Sequence, residues 1–88
     1  MTREKNNPLT VLIRLRMTVL GMTQAQLLLA LEKEGVNLSE SAISYWLLGG
    51  GVKDEHRPAV AKVLGIPLGD LQAAASERAQ ARKARAAS

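Results

Sequence analysis

The chain has no cysteine and no phenylalanine, and it holds one histidine, one tyrosine and one tryptophan. Without thiols, disulfide staples and thiolate zinc sites are excluded. A lone histidine, His56, and acids that mostly sit beside basic residues give no nucleophile with a base, no carboxylate pair and no metal cage. Catalysis is therefore not expected, and no catalytic residue, metal ligand or cofactor is assigned. No apolar run approaches the roughly 20 residues that span a bilayer. The N-terminus lacks the charged-then-apolar layout of a signal peptide. These absences point to a cytoplasmic protein with no membrane partner and no small-molecule ligand.

What is present is aliphatic: Leu, Ile, Val, Met and Ala must build the core. Eighty-eight residues make one domain, and a chain of this size buries only about 60% of its unfolded surface. The net charge is +4, unevenly placed. Residues 75–88 carry Arg78, Arg82, Lys83 and Arg85 against Glu77, a net +3, which leaves +1 for everything before them. Nucleic acid is the first partner to consider, with a field that must come from local clusters and the tail.

Residues 1–7 are polar and include Arg3 and Lys5, a short basic arm or simply a solvated start. Asn7 is a good helix cap, and Pro8 suits the first helical position because its missing N–H has no partner there. Leu9, Leu12, Ile13, Met17 and Leu20 line one stripe of a first helix that Gly21 ends. Thr23 and Gln26 make a capping box for a second helix, with Leu27, Leu28 and Leu31 on one face and Gly35 as its left-handed stop. Val36, Asn37 and Leu38 make the turn, and Ser39 caps a third helix. There, Ala42, Ile43, Trp46 and Leu47 form an apolar side. Glu40, Ser41, Ser44, Tyr45 and Leu48 form the opposite one. Gly49–Gly51 give a flexible exit, not a phosphate cradle, since no strand precedes them and no GK[ST] follows. Pro58 opens a fourth helix with Val60, Val63 and Leu64 inward and Gly65 as its stop. Pro67, Leu68 and Leu71 begin a fifth. Beyond Leu71 no large apolar residue remains, so the tail favours helix by propensity without a face to dock: it is either a fraying extension of the fifth helix or an arm awaiting a partner.

TQAQL at 23–27, AIS at 42–44, the Gly49 stop and PAVAKVLGIPLGDL at 58–71 together resemble the lambda-repressor/Cro-like helix-turn-helix domains of bacteria and their phages. The resemblance covers roughly residues 8–74. It implies an all-α, compact five-helix domain over 8–74, preceded by the arm 1–7 and followed by the basic tail 75–88. Two departures stand out. The first helix of the motif runs more than one turn longer than the compact family version. Met17 and Leu47 occupy positions where many relatives pair an arginine with a glutamate; replacing both charges together is neutral or stabilising when neither is left buried alone.

By this resemblance the chain is expected to be a sequence-specific regulator of transcription that binds double-stranded DNA as a homodimer on a two-fold symmetric site. Repression is the commoner outcome for so short a chain. Glu40, Ser41, Ser44 and Tyr45 are the expected base contacts, on a helix lying in the major groove. Thr23 and Gln24, at a helix N-terminus, and Lys53 and Arg57, in the following loop, are the expected phosphate contacts. Arg78, Arg82, Lys83 and Arg85 are tail contacts. The location implied is cytoplasmic and nucleoid-associated. A second reading keeps the fold and changes the partner: an antitoxin-like protein or phage modulator that binds another protein through Tyr45, Leu48 and the tail.

Overall fold

The computed structural model describes residues 7–87, and beyond residue 80 it describes the side chain of Lys83 alone. Arg3, Lys5 and the side chains of Arg82 and Arg85 therefore lie outside the described residues. Five α-helices follow one another: α1 Pro8–Leu20, α2 Gln24–Lys33, α3 Glu40–Leu47, α4 Arg57–Leu64 and α5 Leu68–Ala87. A 3₁₀ turn, Asp54–His56, leads into α4, and the described residues contain no strand. The Cα radius of gyration is 12.7 Å, close to the roughly 12 Å expected of a compact chain this long.

Local chemistry sets the helix ends where the sequence pattern puts them. Asn7 Oδ1 accepts the Thr10 N–H at 2.9 Å, directly ahead of the proline. At α2 both halves of the capping box are made. Thr23 Oγ1 accepts from the Gln26 N–H, and Gln26 Oε1 accepts from the Thr23 N–H. Ser39 Oγ accepts the Ala42 N–H at the start of α3. Gly35, at φ +88°, closes α2: its N–H bonds the Glu32 carbonyl and the Val36 N–H bonds that of Leu31. This is the paired closure that a left-handed residue permits.

The core draws Leu9, Ile13 and Met17 from α1, Leu27 and Leu31 from α2, and Ile43 and Trp46 from α3. From α4 and α5 it takes Val60, Ala61, Leu64, Leu71, Ala74 and Ala75. These positions agree with the 3.6-residue pattern. Leu20, expected on the same stripe of α1, is instead exposed at the helix end. Val52 and Ile66 are buried from loops, where no helical period can announce them.

The boundary expected after residue 74 falls inside one continuous helix. Ala74 and Ala75 are both buried, so α5 packs through small side chains that let its backbone come close to its neighbours. One turn on, Arg78 Nε donates to the Gly49 carbonyl at 2.9 Å. The first part of the tail is thus integral to the fold. At the end of α3, four side chains converge on backbone carbonyls. Thr10 Oγ1 donates to Trp46 O at 2.8 Å, Arg14 to Leu47 O at 3.0 Å, and both Asn7 Nδ2 and Arg78 to Gly49 O. Arg16 does the same for α4, donating to Leu64 O at 2.9 Å.

Two outcomes follow for stability. Ile43 is fully buried, and an unpaired charge there costs several kcal/mol, against a total on the order of 5–10 kcal/mol for a domain of this size. Ile43→Asp is expected to abolish cooperative thermal unfolding by circular dichroism; a normal melt would show that the face is wrongly assigned. Arg78→Ala removes a charged hydrogen bond that is partly buried, worth about 1 kcal/mol. Its melting temperature should fall by roughly 4–8 °C. Lys83→Ala, on the exposed face, should leave it unchanged. Equal melting temperatures for the two variants would remove Arg78 from the fold's supports.

Candidate functional site

The candidate surface is the front of α3. Eight residues are too few for a stable helix in water, so its position depends on what holds its back and its ends. Ile43 and Trp46 are buried beneath it, and Ala42 and Leu47 are partly buried on either side. Glu40, Ser41, Tyr45 and Leu48 are exposed, and Ser44 is half-buried. Of the four expected base-contact residues, Glu40, Ser41 and Tyr45 thus share an open face. Ser44 sits at its edge, where its hydroxyl donates to Gln24 Oε1 at 3.2 Å. Gln24 therefore ties the start of α2 to the middle of α3.

Tyr45 is held as well as displayed. Its ring lies so close to Gly50 that a Cβ added to that glycine would clash with Cδ2, Cε2 and Cζ of the ring. Gly50 N–H donates to the Tyr45 carbonyl at 2.7 Å, and Gly49 turns the chain at φ +111°. The two glycines have separate tasks: one supplies the left-handed turn, the other the room that the phenol ring takes. Beside that ring a shallow depression of about 200 Å³ is lined by Leu38, Ala42, Trp46, Gly51, Lys53 and His56. The structure so brings Lys53 next to Tyr45.

On the other flank of α3 a wider cleft, about 350 Å³, is lined by Arg14, Met17, Thr18, Met22, Thr23, Gln24 and Leu47 among others. Met17 and Leu47 both line it. Arg14 was no candidate in the sequence pattern, because it lies off the buried stripe of α1. The signal for it is the end of α3: bare carbonyls at a helix C-terminus attract a cation, and Arg14 supplies one through Leu47 O. The Thr23 N–H is already engaged by Gln26. At the start of α2, then, the N–H groups of Gln24 and Ala25 are the donors left over by helix geometry.

Arg57 is placed differently from Lys53. Its Nε donates to the Val52 carbonyl at 3.0 Å, one terminal nitrogen bonds Gln72 Oε1 at 2.8 Å, and the same nitrogen is paired with Asp54. This guanidinium joins the loop to α5 and faces inward more than outward. Arg78 is likewise partly buried on Gly49, while Lys83 is exposed further along α5. Among the described residues no cluster of three His, Asp or Glu side chains could hold a metal ion. No described helix is long and apolar enough to cross a membrane. Compared with protein-family models, with curated proteins and with solved structures, the chain finds no match.

Proposed function

We propose that the chain is a sequence-specific regulator that binds double-stranded DNA, with a helix-turn-helix formed by α2 and α3 and with α3 lying in the major groove. The observation that carries this reading is the division of α3 into a buried back and an open front. Such a helix offers several hydrogen-bonding side chains on a rigid rod of groove width. Glu40 suits a cytosine amino group. Ser41 suits any base edge, and Tyr45 a thymine methyl or a phosphate. Gln24, braced against Ser44, and the N-terminal amides of α2 suit a phosphate on one flank; Lys53 suits one on the other. The assembly is a homodimer on a two-fold symmetric site, and the outcome of binding is repression.

A second reading has its own support. Leu48 is 68% exposed beside Tyr45, and Arg57 and Arg78 are bonded internally. Fewer cations are then at hand for phosphates, and an apolar protein surface becomes a competing occupant of the same face.

Salt separates the two readings. A duplex selected from a random pool should be bound with a log–log salt slope of roughly −2 to −4 per protomer, reflecting the few phosphates that the available cations and amides reach. Binding to a protein partner through Tyr45 and Leu48 should barely respond. On the selected duplex, Tyr45→Ala and Ser41→Ala should each cost about 1–3 kcal/mol, and far less on random DNA. Failure to enrich any motif, or equal losses on both duplexes, would defeat the groove-reading assignment.

A further inference from the structure

The outward face of α1 carries an apolar stripe edged by Arg14 and Thr18. Val11, Leu15 and Val19 stand one turn apart on it, 44%, 56% and 62% exposed, with exposed Pro8 ahead of them. The helix carries no acidic residue. Of its two basic ones, Arg16 turns to the Leu64 carbonyl on α4, while Arg14 stands exposed at the edge of the stripe with its guanidinium bonded to the Leu47 carbonyl on α3. Single exposed leucines are ordinary on a protein surface, but a continuous apolar stripe over three turns marks a contact.

We propose that this stripe joins two copies of the chain, α1 against α1, antiparallel across a two-fold axis that passes Leu15. Three features favour a second copy over another occupant. The order Val–Leu–Val reads the same in both directions, so a two-fold axis at its centre sets Val11 against Val19 of the second copy and Leu15 against Leu15. Val11, Arg14, Leu15 and Thr18 also frame an open groove of about 260 Å³. These are positions i, i+3, i+4 and i+7, the four-sided hole that takes a leucine from a facing helix. Finally, Val11, Leu15 and Val19 bear no charge, the one cation at their edge, Arg14, is bonded to the Leu47 carbonyl, and antiparallel helix dipoles attract. The scale of the contact sets its strength. Thirteen residues give a helix roughly 20 Å long and 10 Å wide, a few hundred Å² per copy, below the roughly 800 Å² of a tight complex. The dimer is weak and concentration-dependent.

The proposal deepens the two-fold assembly put forward above and rests on that reading for its use. Its test contains no nucleic acid, so the two fail separately. Because the chain has no cysteine, single substitutions report cleanly. Under mild oxidation, Leu15→Cys should form a disulfide-linked dimer at least about tenfold faster than Leu48→Cys, an exposed control on α3's side. Val11→Cys should stay slow, since its two copies lie about 12 Å apart along the helices, beyond disulfide reach. In sedimentation over a hundredfold concentration range, the unsubstituted chain should rise toward twice its monomer mass. Leu15→Glu should remain a monomer with an unchanged melt. An unsubstituted chain that stays monomeric throughout would overturn the proposal and leave the stripe to a different protein. Equal cross-linking of Leu15→Cys and Leu48→Cys would overturn it too, and rapid cross-linking of Val11→Cys would overturn the antiparallel register.

Discussion

Everything on the candidate surface depends on how the C-terminal end of α3 is closed. A helix ends with carbonyls that its own backbone does not satisfy, and one as short as α3 cannot leave them loose and keep its direction. Here the carbonyls of Trp46, Leu47 and Gly49 are met by Thr10, Arg14, Asn7 and Arg78. Three of those donors belong to the start and middle of α1, and the fourth to α5. The chain thus fixes α3 from residues about thirty or more positions away on either side. Asn7 illustrates the economy: its Oδ1 caps α1 while its Nδ2 holds Gly49. One side chain both starts the first helix and anchors the exit of the third.

This closure explains where the basic residues go. Arg14, Arg16, Arg57 and Arg78 each donate to a backbone carbonyl. A guanidinium suits that task because its planar fork keeps donors to spare after one bond is made, and because a helix C-terminus is negative. The cost falls on the outward field. A chain with a pI near 10 spends much of its positive charge stitching helices together, and Lys62 adds a pair with Glu34. On the DNA reading, affinity then leans on Lys53, on the open amides of α2 and on residues far along α5, so shape and base contacts must carry a larger share than in a strongly basic reader.

Most of the architecture was legible because period and punctuation agreed. Asn7–Pro8, the Thr23–Gln26 box, Ser39 and the glycine stops each mark a boundary by a local mechanism, and the large aliphatic residues between them repeat at helical spacing. The two faces of α3 followed from the same period. What escaped has common physical causes. Val52 and Ile66 are core residues in loops, where side-chain direction follows from tertiary packing. Helix propensity allowed the tail to extend the fifth helix; what escaped is that the tail's start packs on the core, because its buried face is made of alanines, which are small but allow close packing. Arg14, Arg57 and Arg78 could be seen as charges but not as partners, because their acceptors are carbonyls, and any residue carries one of those. Arg57, expected at a phosphate, and Arg78, expected as a tail contact, are each bonded inside the fold.

The arrangement of α1 joins these threads. An amphipathic surface helix normally hides its apolar face and shows its charges to water. At its cap and along α1 the polar side chains Asn7, Thr10, Arg14 and Arg16 reach sideways into neighbouring backbone, while Val11, Leu15 and Val19 remain outside. Two demands compete for one helix: closing the ends of α3 and α4, and staying soluble alone. With only 13 residues and two flanks occupied by carbonyl-seeking groups, the outer face is what was free to turn apolar. A lysine at position 15 would have satisfied solvent at no cost to the carbonyl bonds, since none of them uses that position. The leucine there is therefore not forced by the inside of the fold, which is the reason to look for its partner outside.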